Sequence, residues 1–165
     1  MNERTPIRTA VITVSDTRAL ETDKSGELLV ILLGESGAIV VERSIVTDET
    51  ESIRSKLAEL VQSGGIDLVL TTGGTGFAPR DNTPEATRSV IQREAPGIAE
   101  ALRRETASKT PMAMISRAVA GIAGATLIIN LPGSPKGVEE CFEVIRPVLQ
   151  HAVDLIRGET SHVGG

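Results

Sequence analysis

Aromatic side chains are nearly absent from this sequence, which has no tryptophan, no tyrosine and two phenylalanines among 165 residues. Proteins that bind single-stranded nucleic acid use aromatic rings as stacking platforms for the bases. Basic residues are also outnumbered, since 17 lysines and arginines stand against 22 aspartates and glutamates and the net charge is −5. We therefore expect no nucleic acid partner and no attraction to an anionic membrane.

Cysteine and histidine are equally scarce. The single cysteine, Cys141, excludes an internal disulfide and a multi-cysteine metal site, and it fits a reduced, cytoplasmic location. It falls on the apolar face of a predicted helix, which is typical of a core residue rather than a nucleophile. His151 and His162 lie in the predicted last helix and the tail, so a zinc site or a hydrolytic triad has too few candidate residues.

Long apolar runs are missing as well. The longest, Leu28 to Leu33, is far too short to span a bilayer, and the first residues do not form a signal-peptide pattern. This run leaves the predicted helix from Glu27 to Glu35 almost no polar face. Such a helix is expected to pack on both sides, either in a deep core or in a core together with a subunit interface.

The sequence does contain a regular alternation of apolar strands and amphipathic helices. Three strand–helix steps predict a parallel sheet with right-handed crossovers. Two later strands are too close together for a helical crossover, so we expect an antiparallel pair at one edge. The predicted strands are 9–14, 38–46, 66–72, 118–122 and 126–131. The predicted helices are 27–35, one ending at Gly64-Gly65, 84–94, a further helix after the interruption at Pro96 with Ile98, Ala101 and Leu102 facing inward, and one from 135. The segment 112–116 has no assignment.

The last predicted helix has clear boundary residues. Ser134 is the expected N-cap and Pro135 the first helical residue. Pro147 lies inside the helix and removes one backbone hydrogen bond, which predicts a kink or break. We expect one domain over 1–165, with a frayed tail at 158–165.

The most informative stretch is 68–87, in which a strand runs into a glycine-rich loop and then into a helix. Gly73, Gly74 and Gly76 permit positive φ angles and let the backbone approach a ligand closely. The loop lacks the Gly-Lys-Ser/Thr of a Walker A motif and the third glycine of a dinucleotide fingerprint. A strained turn and a ligand cradle are therefore equally good interpretations of the glycines alone.

The helix after this loop has its own start signals. Thr83 is predicted to be the N-cap and Pro84 the first helical residue. A helix N-terminus presents unbonded N–H groups and the positive end of the helix dipole, so phosphate is the expected ligand.

Three acids, Asp16, Asp48 and Asp81, each follow a predicted strand. The carboxyl ends of parallel strands form the edge where α/β sheets bind ligands. Carboxylates with substrate phosphates suit Mg²⁺, which favours nucleotide phosphoryl or nucleotidyl transfer. Two structural alternatives stay open: Ser15 and Asp16 begin an ordinary polar loop, and Asp48 forms a capping box with Glu51, which spacing alone favours.

Longer segments resemble the MoaB/MogA family of molybdenum cofactor biosynthesis proteins and the related G domains of proteins such as gephyrin. The resemblance covers nearly the whole chain, and the combination of motifs is far more specific than any one of them. The segments are V-S-D at 14–16, D-K-S-G at 23–26, T-T-G-G-T-G-F-A-P-R-D-N-T-P-E-A-T at 71–87, T-P-M-A-M-I-S-R at 110–117 and L-I-I-N-L-P-G-S-P-K at 127–136.

The resemblance implies a three-layer α/β/α sandwich with a mostly parallel sheet and an antiparallel edge, usually assembled as a homotrimer. It also implies molybdopterin adenylyltransferase activity, in which the terminal phosphate of molybdopterin attacks the α-phosphate of Mg-ATP and pyrophosphate leaves. The product would pass to a molybdenum-inserting enzyme. The alternative is a non-catalytic subunit that binds molybdopterin or scaffolds the pathway.

Carried over by position, the resemblance makes Asp81 the essential acid and Asp48 a second acid, both catalytic and both candidates for holding Mg²⁺. Some proteins named MoaB lack an acid at the second position, whereas this chain keeps it. The residues that match nucleotide- and molybdopterin-contacting segments are Ser15, Asp16, Gly73, Gly74, Thr75, Gly76, Pro132, Gly133 and Ser134.

Overall fold

The computed structural model describes residues 4–159 and has helices on both faces of a six-stranded sheet. The strand order is β2-β1-β3-β6-β5-β4, in which the first four strands are parallel and the last two antiparallel. The elements are β1 (Arg8–Val14), α1 (Lys24–Glu35), β2 (Ile39–Val46), α2 (Thr50–Gln62), β3 (Leu68–Thr72), α3 (Thr83–Val90), β4 (Arg93–Glu94), α4 (Pro96–Thr106), a 3₁₀ helix (Pro111–Ile115), β5 (Ala120–Ala123), β6 (Thr126–Leu131) and α5 (Pro135–Ile156). The predicted three-layer sandwich with an antiparallel edge is confirmed.

The central strands β1, β3 and β6 are apolar on both faces because helices cover both sides of the sheet. Val11, Leu70 and Ile129 are register partners that pack under α1, α4 and α5. The alternate residues, such as Val69 and Ile128, pack under α2 and α3. Two cores result, one on each side of the sheet, and they hold the strand ends in fixed relative positions.

Helix α1 begins earlier than predicted, at Lys24, because the Asp23 carboxylate accepts a hydrogen bond from the Gly26 amide and caps the helix. Its apolar sides are not all covered within this chain. Leu29 and Leu33 are buried against the sheet, whereas Ile31 is 50% exposed. The deep-core alternative is therefore wrong, and packing of the outer face against another subunit stays a prediction.

The prediction that helix α3 continues to Glu94 is wrong. The helix ends at Val90, and Arg93–Glu94 forms the short edge strand β4 beside β5. The Gln92 amide donates to Ile122 O at 2.8 Å, and the Gln92 side chain accepts from the Gly124 amide at 2.9 Å. These hydrogen bonds to β5 and to the turn after it favour the sheet edge over a continued helix, although the local sequence pattern is helical.

Helix α5 runs without a break through Pro147, so the predicted break does not occur. Ile145, Leu149 and Val153 are buried on both sides of the proline, and this packing supports the helix despite the missing amide. Cys141 is buried in the core as predicted, and burial raises the pKa of its thiol to about 11.

Within residues 4–159 no helix is long and apolar enough to cross a membrane. Of the predicted frayed tail, the Gly158 and Glu159 amides bond back to the end of α5, and residues 160–165, with His162, lie outside the described part of the chain. The unassigned segment 112–116 belongs to the 3₁₀ helix, whose first turn is capped by the Thr110 hydroxyl.

Candidate functional site

Four loops meet at the carboxyl end of the parallel strands. Because β2, β1, β3 and β6 are neighbours in that order, the loops that follow them lie side by side. They contribute Asp48 after β2, Asp16 after β1, residues 73–82 after β3 and residues 132–134 after β6. Every site residue predicted from the sequence lies in one of these loops.

Asp16 and Asp48 bind one another through reciprocal hydrogen bonds. The Asp16 amide donates to Asp48 Oδ2 at 2.9 Å, and the Asp48 amide donates to Asp16 Oδ1 at 3.0 Å. The capping role that spacing favoured for Asp48 is wrong, because the N-cap of α2 is Glu49 and no side chain bonds there. Asp48 is therefore available at the strand edge.

The two carboxyls have opposite pKa shifts. Hydrogen bonds from Arg80 and from the Asp48 amide lower the pKa of Asp16 to about 2. Burial, and then the negative charge of Asp16, raise the pKa of Asp48 above its ordinary value. Asp16 thus serves as the permanent anion of the pair, while Asp48 is the more readily protonated partner.

Arg80 joins the loop after β3 to the loops after β1 and β2. Its Nε donates to Asp16 Oδ2 at 2.7 Å, its Nη2 to Asp16 Oδ1 at 3.1 Å and its Nη1 to Glu49 Oε1 at 3.0 Å. Nearby, Asn82 Nδ2 donates to Asp48 O at 3.0 Å. Sequence reasoning gave Arg80 no role, although it precedes Asp81 within the motif used for the resemblance.

The glycines of the loop are needed for close packing. Gly73 and Gly74 have φ angles of 101° and 67°. A Cβ on Gly73 would lie 2.6 Å from Val14 O, and one on Gly74 would lie 2.4 Å from Thr83 Oγ1. These two glycines thus have a structural role in bringing the loop against the ends of β1 and α3, and the ligand-cradle interpretation of the loop stays a prediction.

Thr83 is the first residue of α3 and not its N-cap, which is Asn82 without a side-chain bond. The buried Thr83 hydroxyl donates instead to Gly73 O at 2.9 Å, and its amide donates to Gly74 O at 3.1 Å. Since Pro84 has no amide, the start of α3 offers less to an anion than the sequence indicated. Within residues 4–159, however, the successive amides of 74–77 make no hydrogen bond.

The loop after β6 is tied to its neighbours. Thr72 Oγ1 donates to Pro132 O at 2.7 Å, and Ser25 Oγ donates to Gly133 O at 2.8 Å. Ser134 is the N-cap of α5, as predicted, and its hydroxyl accepts from the Gly137 amide. These contacts fix the loop against the glycine loop.

Ser15 points toward its own loop. Its hydroxyl accepts hydrogen bonds from the amides of Thr17 and Arg18, both at 3.2 Å. This arrangement matches the plain polar-loop alternative for Ser15, whereas Asp16 joins the cluster.

Asp81 is held separately from the Asp16–Asp48 pair. Its Oδ2 accepts from the Ala78 amide at 2.9 Å and lies against Gly76, where an added Cβ would be 2.9 Å away. Within the described chain neither Asp48 nor Asp81 forms a salt bridge, unlike Asp16, Glu49 and Glu85 of the same edge. These two carboxylates thus have no direct cationic partner among the described residues.

A cavity of about 310 Å³ adjoins the loop after β6. It lies between α4, the 3₁₀ helix and α5, and it shares Pro132 and Ser134 with the candidate site. Its lining combines cationic, anionic, hydroxyl and apolar side chains, among them Arg103, Lys109, Thr110, Met112, Lys136 and Glu140. The cavity is suited to a polar heterocycle or an anionic tail beside the strand edge.

Comparisons with known proteins agree with this architecture. The family described as "Probable molybdopterin binding domain" matches residues 10–151. A "Molybdopterin adenylyltransferase" of Helicobacter pylori is 40% identical over 161 residues, covering 95% of this chain and 92% of that protein. The "Molybdenum cofactor synthesis protein cinnamon" of Drosophila melanogaster is 46% identical over 156 residues, covering 93% of this chain but 26% of the much longer protein.

A solved structure has the same fold. The crystal structure of "Molybdopterin biosynthesis enzyme MoaB" from Thermus thermophilus superposes with a TM-score of 0.85 at 45% identity, covering 92% of this chain and 97% of that one. The fold and the extent of the match agree. This chain belongs to the family of probable molybdopterin-binding domains found in molybdenum cofactor biosynthesis proteins.

Proposed function

We propose that this protein transfers the adenylyl group of ATP to the terminal phosphate of molybdopterin. A phosphate oxygen of molybdopterin attacks the α-phosphorus of ATP, the bond from that phosphorus to the bridging oxygen breaks, and pyrophosphate leaves with the electron pair. The observation that carries the proposal is that, within residues 4–159, neither Asp48 nor Asp81 forms a salt bridge and the loop amides of 74–77 make no hydrogen bond. Such a site supplies positioning and charge stabilisation, which are what this chemistry requires.

The residues at the strand edge have separable roles in this proposal. In this proposal the amides of 74–77 bind phosphate oxygens, and their lack of hydrogen bonds within residues 4–159 supports that role, because successive backbone N–H groups can form an anion-binding concavity. Arg80 holds Asp16 and Glu49, so its charge is already neutralised and it orders the loops. The loop 132–134 separates the glycine loop from the cavity, which would receive the pterin.

Magnesium fits the donor set in part. Residues 4–159 contain no group of three or more side chains that could hold a metal by themselves. Magnesium commonly uses one or two carboxylates and completes its shell with water and substrate phosphates, and Asp48 and Asp81 are the available carboxylates. When bound with ATP, Mg²⁺ would neutralise charge on the phosphates during transfer.

The test combines binding and turnover. Isothermal titration with ATP and Mg²⁺ measures nucleotide binding, and a coupled assay measures pyrophosphate release when molybdopterin is added. We expect ATP binding and release that depends on both molybdopterin and Mg²⁺. Binding without release would contradict the enzyme and favour the non-catalytic binding or scaffold subunit.

We also propose that the protein assembles as a homotrimer and passes its product to a molybdenum-inserting enzyme. The support within this chain is apolar surface left uncovered, including Ile31 and Val148, which are 50% and 48% exposed. Light scattering coupled to size-exclusion chromatography should give three times the 17.4 kDa chain mass. A monomer mass at micromolar concentration would contradict this assembly.

A further inference from the structure

Arg117 reaches from the segment before β5 into the glycine loop. Its Nε donates to Gly76 O at 2.8 Å and its Nη2 donates to Asp81 O at 2.6 Å. Its Nη1 pairs with the Glu85 carboxylate in the first turn of α3, and its backbone amide donates to Thr75 O at 2.8 Å. One side chain thus joins the beginning of the loop, its end and the helix that follows.

We propose that Arg117 is a positioning residue that holds the Asp81 carboxylate in place by fixing both ends of the loop that carries it. The proposal rests on the proposed function above. The loop itself has a small closed turn, in which Asp81 and Ala78 exchange hydrogen bonds through the Asp81 amide and Oδ2. Arg117 connects this turn to Gly76 through hydrogen bonds to Gly76 O and Asp81 O, and to α3 through its ion pair with Glu85.

The position of the carboxylate follows from this tie. Asp81 Oδ2 lies against Gly76, where even a Cβ would approach to 2.9 Å, so the distance between these two residues is narrowly set. Arg117 bonds the carbonyl groups of these same two residues. If the tie is lost, the loop can widen and the carboxylate moves with it.

Arg117 is itself firmly placed. Arg103 on α4 donates from Nη1 to Ser116 O at 3.2 Å and to Ala118 O at 2.9 Å, on both sides of Arg117. The backbone that carries the guanidinium is therefore anchored to α4 just before β5 begins. Support of this kind is what keeps a functional group within a fraction of an ångström of its working position.

The guanidinium is specifically required by the geometry. The planar guanidinium donates hydrogen bonds to three acceptors in different directions, whereas a lysine ammonium is a single point of charge. Arg117→Lys should therefore lose part of the tie while keeping the charge, and Arg117→Ala should lose all of the side-chain bonds. Glu85→Gln removes the ion pair but leaves the bonds to Gly76 O and Asp81 O.

The experiment measures kcat, KM and amide hydrogen exchange for these three variants, with Arg104→Ala as the control, since Arg104 is exposed and its one ion pair among residues 4–159 is with Glu105. We expect kcat of Arg117→Ala to fall about a hundredfold, the loss that a misplacement of about 1 Å produces, with KM for ATP much less affected. Arg117→Lys should be intermediate, and Glu85→Gln and Arg104→Ala near wild type. Added guanidinium ion should restore part of the activity of Arg117→Ala.

Exchange supplies a readout that does not depend on turnover. The amides of Ala78 and Asp81, which donate the two hydrogen bonds of the turn, should exchange faster in Arg117→Ala, while those of β3 and β6 keep their protection. Unchanged kcat, or unchanged exchange at Ala78 and Asp81, would overturn the proposal, and so would faster exchange throughout β3, because the residue would then support only the fold. If the wild type shows no adenylyl transfer, the proposed function fails, but hydrogen exchange still tests whether Arg117 holds the loop. If Arg117→Ala does not fold, the same measurements on Arg117→Lys test the proposal.

Discussion

The backbone amides of Asp16 and Asp48 each donate to the other residue's carboxylate, at 2.9 and 3.0 Å. This exchange joins the ends of β1 and β2, and within residues 4–159 Asp48 forms no salt bridge of its own. Arg80 pairs with Asp16 and with Glu49 instead. Asp16 is therefore the structural acid of the pair, and Asp48 is the acid that is available for chemistry.

Asp48→Asn should remove activity without removing stability. Asparagine still offers an oxygen to the Asp16 amide, and α2 does not use this side chain as a cap. We expect the free energy of unfolding in urea to change by no more than about 0.5 kcal/mol. Turnover should fall at least about a hundredfold, corresponding to about 2.7 kcal/mol in the barrier.

The control for this variant is Glu139→Gln, which neutralises an exposed acid on α5. It should match wild type in both measurements. Loss of stability and activity together in Asp48→Asn would assign Asp48 a structural role, and retention of both would remove it from the site.

Asp81→Asn should weaken metal binding. The amide oxygen can still accept from the Ala78 amide, so the turn at 78–81 should survive. Titration of Mg²⁺ into the protein with ATP should show reduced affinity, because a neutral amide replaces a charged ligand. Equal Mg²⁺ affinity in variant and wild type would contradict the assignment of Asp81 to the metal, whatever the activity.

The pKa of Asp48 can be measured directly by carboxyl ¹³C NMR without Mg²⁺. It should lie above the usual aspartate value because the group is partly buried and faces Asp16. Asp16→Asn should lower it, since the negative neighbour is removed. A pKa for Asp48 at or below 3.8 in the wild type would contradict the arrangement.

The raised pKa of Asp48 determines whether its contribution to the free energy of unfolding grows or falls with pH. A carboxyl whose pKa is higher in the folded chain than in the unfolded chain binds its proton more tightly when folded. The stability that this group contributes is complete at pH values below its pKa in the unfolded chain, and it declines as the pH rises through its pKa in the folded chain. Asp16→Asn should reduce this decline in urea unfolding measured across that window.

Gly74→Ala should destabilise the protein more than Gly64→Ala. Both glycines have positive φ, at 67° and 74°, so both variants pay a similar backbone cost of about 1 kcal/mol. Only Gly74 is crowded, with Thr83 Oγ1 at 2.4 Å from an added Cβ, which adds about 1–3 kcal/mol. Equal losses in thermal unfolding would mean that the loop can move away from α3.

The elements that local pattern decides were predictable from sequence. β1 and β3 are continuous β-branched and apolar runs, and Ser134 with Pro135 marks the start of α5 as expected. These features depend on residues within a few positions of one another. The strand order then places the predicted acids at one edge without further information.

The features that sequence could not decide depend on distant partners. Asp48 had a local use as a cap and a non-local one with Asp16, 32 residues away, and the second prevails. Arg117 lies 36 residues from Asp81, so nothing near it in the chain indicated its target. Proximity to the motif would have drawn attention to Arg80, but its bond to Asp16 spans 64 residues.

The most direct test of the account is transfer of label from ATP. The protein is incubated with molybdopterin, Mg²⁺ and ATP labelled in its α-phosphate, and the pterin fraction is separated. We predict that the label appears in molybdopterin in equal amount to the pyrophosphate released, and that it does not appear with Asp48→Asn. Unlabelled molybdopterin after ATP has been consumed by the wild type would contradict adenylyl transfer.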